Sequence, residues 1–210
     1  MSLSRTGIIL AGGQSSRMGQ NKALMMIDGV RVIERIANEL EKISDELLIV
    51  TNTFHTYEYL NLPMVEDEQK GKGPLAGIQA GLKASRSEKN LIVACDMPFI
   101  SSSLGGFLLE ELEDYQAAIP KLEGRIHPLF GAYRKDALQA VTQSLEKNEL
   151  RIMSLLQNLH VRYISEDILS REGISVKDTA VFNMNDQIEY EKALKLDRDG
   201  NSFCEKSEGI

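Results

Sequence analysis

The residues richest in possible chemistry lie in one run, Leu10-Ala11-Gly12-Gly13-Gln14-Ser15-Ser16-Arg17-Met18-Gly19-Gln20-Asn21-Lys22. Two glycines leave the apolar stretch Gly7-Ile8-Ile9-Leu10, and two cations, Arg17 and Lys22, follow soon after. Backbone N–H groups in a tight glycine turn can converge on phosphate oxygens because no Cβ blocks approach. Arg17 adds a forked donor and Lys22 a mobile point charge. The pattern therefore suits a polyphosphate. Its spacing matches neither G-x-x-x-x-G-K-[ST] nor G-x-G-x-x-G, so the loop is a type of its own.

Further along, Asp96 stands in Ala94-Cys95-Asp96-Met97-Pro98, at the end of an apolar run. A carboxylate there is well placed for Mg²⁺, which takes one or two carboxylates and completes its octahedron with phosphate oxygens and water. An equally simple reading is a cap on the next turn; the phosphate loop upstream favours the metal. Asp67, in Glu66-Asp67-Glu68, is either a solvated turn residue or an acceptor for a nucleotide base or ribose. Gly77 and Gly81 lie four apart and share a helix face, where each costs about 1 kcal/mol relative to Ala. Close packing on a sheet and close approach of a ligand explain that pair equally well. His127-Pro128 could meet an anionic second substrate, but a loop hydrogen bond suffices for it. Asn183 and Asn185 alternate and so face one side of an extended segment. Cys95 reads as a small buried hydrophobe. No Ser-His-Asp set with local support, no HExxH and no pair of catalytic carboxylates is present.

These groups need elements to position them. Ile8–Leu10, Leu47–Val50, Pro63–Glu66 and Leu91–Cys95 read as buried strands. Helical spacing of Val32, Ile33, Ile36, Ala37, Leu40 and Ile43 predicts a helix over 31–43. Gly73-Pro74 opens a second helix, and Ser101–Ser103 cap a third that runs to about Tyr115. The order β-α-β-β-α-β-α predicts a three-layer αβα, Rossmann-like, mostly parallel sheet with helices on both faces. In such sheets ligands bind at the carboxyl ends of the strands. Gly12–Lys22, Thr51-Asn52, Asp67 and Asp96 would all converge there. Beyond residue 116 the expectation is strands at Ala117–Lys121, Leu129–Tyr133 and Val161–Ile164, with helices at Asp136–Leu145 and Met153–Leu159. Asp186-Gln187-Ile188-Glu189 reads as a capping box before a helix to about Leu194, and Asp197–Ile210 as a flexible tail. One domain over residues 1–196 is expected, with a nucleotide-binding half to about 115 and an acceptor-binding half after it.

Composition limits the function classes. The chain has 210 residues and a net charge of −7, which disfavours a nucleic-acid partner. A small polyphosphate remains compatible if positive charge is local, from Arg17, Lys22, Lys70 and Lys72. No apolar run approaches the ~20 residues of a membrane span, and Met1–Arg5 lacks a signal-peptide core, so no membrane partner is expected and the cytoplasm is the expected location. Cys95 and Cys204 are the only cysteines, too few for a zinc cluster or a disulfide framework.

The motif Leu10-Ala11-Gly12-Gly13-x-Ser15-x-Arg17-Met18-Gly19-x-x-Lys22-x-Leu24 resembles the opening of nucleotidyltransferases. Together with Glu66-Asp67, Gly73-Pro74-Leu75-Ala76-Gly77, Cys95-Asp96-Met97-Pro98, His127-Pro128 and Asn183-x-Asn185, the chain is most similar to the molybdenum cofactor guanylyltransferases. The matches run in order from residue 7 to about 195. The resemblance implies GTP in the cleft, held by Leu10, Ala11, Gly12, Gly13, Lys22, Asp67 and Gly77. It implies Asp96 as ligand of both nucleotide and Mg²⁺, and His127, Asn183 and Asn185 facing a molybdenum-bearing pterin. The implied reaction is GMP transfer from GTP to the terminal phosphate of molybdenum-molybdopterin, with Lys22, Arg17 and Asp96 catalytic. Transient contact with other cofactor-synthesis proteins is implied as well. Three positions depart from the family pattern: Asn21 replaces a frequent Asp before the lysine, Asp186-Gln187 replace a frequent Thr-Pro, and Thr51 with Asn52 stands where some relatives have one Asn at the strand end.

Two other readings share these residues. A cytidylyltransferase, or another nucleotidyltransferase, would use the same loop. A non-catalytic nucleotide-binding domain would keep the glycines but would not need both Lys22 and Asp96. The missing G-x-G-x-x-G argues against a dinucleotide-dependent oxidoreductase.

Overall fold

In the computed structural model, the residues described are 4–12, 21–174, 178–184 and 186–201. The first strand, β1 (Arg5–Leu10), is buried from Thr6 onward, because both of its faces are covered. A short hairpin follows, β2 (Met26–Ile27) and β3 (Val30–Arg31), turned by Asp28 and Gly29 at φ 49° and 75°. Positive φ at both turn residues is the geometry that matches strand twist in a two-residue hairpin. Helix α1 (Val32–Glu41) buries Val32, Ile33, Ile36, Ala37 and Leu40, the stripe that helical spacing predicts. Glu34 closes its first turn by accepting a hydrogen bond from the Arg31 N–H at 3.0 Å.

Strands β4 (Glu46–Val50) and β5 (Met64–Val65) extend the sheet on one side of β1. Helix α2 (Pro74–Ala84) begins with proline in its first turn, and β6 (Lys89–Ala94) pairs with the other side of β1. Ser101 caps α3 (Ser102–Glu110), its side chain accepting from the Leu104 N–H at 3.4 Å. That helix ends at Glu110, short of the expected Tyr115. Strands β7 (Ala117–Leu122), β8 (Arg125–Ile126) and β9 (Phe130–Arg134) follow, then α4 (Ala137–Glu146), α5 (Ile152–Gln157), β10 (Val161–Ser165), α6 (Glu166–Arg171) and α7 (Gln187–Asn201). Asp186 caps α7 by accepting from the Glu189 N–H at 2.9 Å. The helix runs on to Asn201 instead of ending near Leu194, so the first part of the expected tail is helical. Residues 202–210 lie outside the described ones.

The sheet order is β10-β7-β9-β6-β1-β4-β5, with β8 beside β7. Strands β8 and β9 run against the others; β9 sits antiparallel between β6 and β7. The two expected halves thus share one continuous sheet. Strand alternation divides the core into two layers. Ile9, Leu47, Ile49, Leu91 and Val93 face α1 and α3. Ile8, Leu10, Leu48, Val50 and Ile92 face α2, α4 and α5. The three-layer αβα expectation holds. Gly81 is needed for it: a Cβ there would stand 2.7 Å from Ile8 Cγ2, so α2 could not lie this close to β1 with a larger residue.

Candidate active site

Backbone hydrogen bonds bring the carboxyl ends of four parallel strands level. Ala11 N–H donates to Val50 O at 2.9 Å, Thr51 N–H to Val65 O at 2.8 Å, and Cys95 N–H to Leu10 O at 3.2 Å. The segments after β1, β4, β5 and β6 therefore leave the sheet side by side, at the crevice where open parallel sheets bind ligands. Gly12, just beyond β1, is exposed; the nearest neighbour of a Cβ there would be Val50 O at 3.9 Å. Gly77 packs α2 beside the end of β1, where a Cβ would lie 3.3 Å from Leu10 Cδ2.

Lys22 and Asp96 meet across this crevice. Lys22 Nζ lies 3.6 Å from Asp96 Oδ2, with the two side chains only 18% and 23% exposed. Residue 22 reaches that place because Asn21 caps a single 3-10 turn, Lys22–Leu24, by accepting from the Ala23 N–H at 3.1 Å. The Asn21 amide also donates to the Tyr57 hydroxyl at 2.9 Å. Burial raises the Asp96 pKa above the ordinary carboxylate range, with the Lys22 ammonium opposing that rise. A second cation near Asp96, such as a metal ion, would relieve the same desolvation. Burial likewise pushes the neighbouring Cys95 thiol up to about 12, in keeping with an inert hydrophobe.

Asp67 follows β5. Its N–H donates to Asn52 Oδ1 at 3.2 Å and its Oδ2 accepts from Asn52 Nδ2 at 3.3 Å. Its other oxygen, Oδ1, is buried without a hydrogen-bond partner, an acceptor still to be satisfied. Thr51 turns inward and is 1% exposed, its hydroxyl accepting from the Thr53 N–H. Asn52, not Thr51, is thus the residue at the end of β4 that faces Asp67. Lys72 reaches away to Asn148 Oδ1 on the loop after α4.

The acceptor candidates divide. Met184 N–H donates to Asp96 O at 2.9 Å, so the segment bearing Asn183 docks directly on the Asp96 loop. Asn183 itself donates to Val181 O at 3.3 Å. His127 sits in the β8–β9 connection, with a ring nitrogen 3.4 Å from Leu122 O, and burial lowers its pKa. Gly13, Arg17 and Asn185 lie outside the described residues. Tyr57 carries no spacing signal that marks it in the sequence; only the fold brings it to Asn21.

Gly12 just beyond β1, a largely buried lysine and an aspartate at the end of β6 meet at one crevice of a three-layer α/β nucleotidyltransferase fold. The MobA-like NTP transferase domain matches residues 7–162, and the chain belongs to that family. It is 39% identical over 191 residues to "Probable molybdenum cofactor guanylyltransferase" of Carboxydothermus hydrogenoformans, covering 91% of this chain and 95% of that one. It is 33% identical over 190 residues to "Molybdenum cofactor guanylyltransferase" of Desulfosudis oleivorans, covering 90% and 93%. The crystal structure of molybdopterin-guanine dinucleotide biosynthesis protein A from Archaeoglobus fulgidus superposes with a TM-score of 0.75 at 23% identity, covering 92% of this chain and 99% of that one. The likeness of fold thus spans both halves of the sheet.

Nucleotidyltransferases of this family generally use a divalent metal. Among the described residues no three of His, Cys, Asp and Glu gather into a cage. The donor set that is present, a desolvated Asp96 carboxylate in an open crevice, fits an ion shared with phosphate oxygens and water. Also among the described residues, no helix is long and apolar enough to cross a membrane.

Proposed function

We propose that the protein transfers GMP from GTP to the terminal phosphate of molybdenum-molybdopterin, releasing pyrophosphate and forming the guanine dinucleotide cofactor. The observation that carries this reading is the Lys22–Asp96 contact at 3.6 Å, at the carboxyl ends of the parallel strands. It joins a phosphate-binding cation to a metal-type carboxylate. The guanylyltransferase names of the relatives supply the base and the acceptor.

In this reading Gly12 and Gly13 offer backbone N–H groups to the triphosphate, Leu10 and Ala11 line the nucleotide where the Ala11 N–H is held by Val50 O, and Gly77 lets α2 stand close beside them. Asp67, with Asn52 aligned on it, uses its unpartnered Oδ1 as an acceptor for the nucleoside. The acceptor phosphate oxygen attacks the α-phosphorus, the bond from that phosphorus to the β-bridging oxygen breaks, and its electron pair leaves on pyrophosphate. No protein nucleophile is needed, so the work is alignment and charge stabilisation. Lys22, with Arg17 in support, holds the negative charge that gathers on the α-phosphate and the leaving group. Asp96 would hold Mg²⁺, which when bound neutralises phosphate charge and reduces repulsion of an anionic nucleophile. His127, Asn183 and Asn185 would face the pterin; the hydrogen bond from Met184 N–H to Asp96 O supports this for the Asn183 segment. Transient contact with other cofactor-synthesis proteins would deliver the acceptor. A chain of this charge with only two cysteines suits the cytoplasm.

Thermal shift with GTP or CTP, each with Mg²⁺, tests base choice, because a ligand that binds only the native state raises Tm. A larger shift with GTP, and GTP-dependent pyrophosphate release on adding the pterin acceptor, support the proposal. A larger shift with CTP favours the cytidylyltransferase alternative. Nucleotide binding without pyrophosphate release favours a non-catalytic domain.

A further inference from the structure

We infer that Tyr57 is a positioning residue for Lys22, acting through the Asn21 side chain; the inference rests on the catalytic reading of Lys22 and Asp96. Tyr57 lies between two 3-10 turns after β4, Phe54–Thr56 and Glu58–Leu60, and is 1% exposed. Its hydroxyl accepts from Asn21 Nδ2 at 2.9 Å and stands 3.3 Å from Asn21 Oδ1. That Oδ1 is the atom that caps the Lys22 turn. Both ends of the Asn21 amide are therefore committed, one to the turn and one to the core.

A single 3-10 turn has little intrinsic stability and takes its direction from what holds its ends. Here the N-terminal end is pinned to a ring that cannot move without opening the core. Tyr57 lies in the core layer against which Cys95 packs, and burial pushes its phenol up to about 12. The buried ring thus anchors the peptide that carries the ammonium. Asn21 meets both demands because its amide has an acceptor and a donor. An aspartate could accept from both the Ala23 N–H and the tyrosine hydroxyl, whereas an asparagine caps with its oxygen and donates to the tyrosine with its nitrogen.

The test separates packing from positioning. Tyr57→Phe keeps the ring and removes the hydroxyl. Steady-state turnover is measured in the full chain with GTP, Mg²⁺ and the pterin acceptor for wild type, Tyr57→Phe, Lys22→Ala and the double variant. The expected result is that Tyr57→Phe lowers kcat about tenfold, with KM for GTP changed less than about threefold. In the Lys22→Ala background it causes no further loss, because the group it positions is gone. Where Lys22→Ala turns over too slowly for a steady-state assay, single-turnover rates with enzyme in excess over GTP, in the same four proteins, read the same coupling. Equal losses in both backgrounds, or no loss in the enzyme that retains Lys22, overturn the inference. Wild-type turnover in Lys22→Ala instead overturns the catalytic reading beneath it.

Discussion

Lys22 Nζ and Asp96 Oδ2 approach to 3.6 Å although their residues are more than seventy positions apart, one on a 3-10 turn and the other just beyond the end of β6. The pair is half-shielded from water, so it is both held in place and open to a ligand. Burial opposes the charge on Asp96 and Lys22 favours it. A site poised in this way gains when phosphate and a divalent cation arrive together, because each partner then acquires a further counter-charge.

Lys22→Ala removes one preorganised donor to the reacting phosphates and should cost roughly 2–4 kcal/mol of transition-state stabilisation, about 30- to 10³-fold in kcat. Pyrophosphate release at saturating GTP measures it.

Asp96 should show opposite effects on activity and stability. Its folded pKa is raised, so the native state holds that proton more tightly than the unfolded chain does. The resulting contribution to stability is present at low pH and is lost as pH rises through the folded value. At neutral pH the ionised carboxylate is therefore a cost. In metal-free buffer at pH ~7.5, Asp96→Asn should melt higher than wild type, and this gain should shrink as pH falls towards ~4. The same variant should lose its metal-dependent activity. Scanning calorimetry across that range, with an Mg²⁺ titration of turnover, checks both halves.

The two helical glycines of α2 should separate. A Cβ on Gly81 would meet Ile8 Cγ2 at 2.7 Å, deep between helix and sheet. Gly81→Ala should destabilise by about 1–3 kcal/mol through overpacking. At Gly77 the nearest atom is a Leu10 methyl at 3.3 Å, which can give way, and the gain in helix propensity offsets the contact. Gly77→Ala should stay within about 1 kcal/mol of wild type in urea unfolding.

Cys95 should be chemically silent. With its thiol pushed up to about 12, almost no thiolate exists near neutrality. Iodoacetamide at pH ~7.5 should leave the Cys95 peptide unmodified in the native protein and label it in urea, as read by mass spectrometry. Labelling of the native protein at the rate of a free thiol would contradict this placement.

Much of this architecture is legible in the residues themselves. Leu47–Val50 and Leu91–Ala94 are continuous apolar runs, which only strands covered on both faces require. Their polar followers, Asn52 and Asp96, mark the crevice. The reversal of β9 is not legible: Phe130-Gly131-Ala132-Tyr133 is buried on both sides whichever way it runs, and direction is set by pairing with β6 and β7. The β2–β3 hairpin does carry a local sign, Asp28-Gly29 between apolar residues, the two-residue turn signal. In the site, residue types reveal the lysine and both aspartates, because each has a chemistry suited to phosphate or metal. Tyr57 has none, and its role arises from a contact thirty-six positions away in sequence. Asn52 takes the place beside Asp67 because Thr51 spends its hydroxyl on the turn that follows it.

The most direct measurement is a crystal structure of the protein with Mg²⁺ and a non-hydrolysable GTP analogue. The expected result puts Lys22 Nζ at about 2.8 Å from an α- or β-phosphate oxygen and an Asp96 oxygen at about 2.1 Å from the metal. Phosphates seated away from both side chains, for instance in the cavity of about 700 Å³ at the amino end of the sheet near Ser44 and Arg86, would contradict the account.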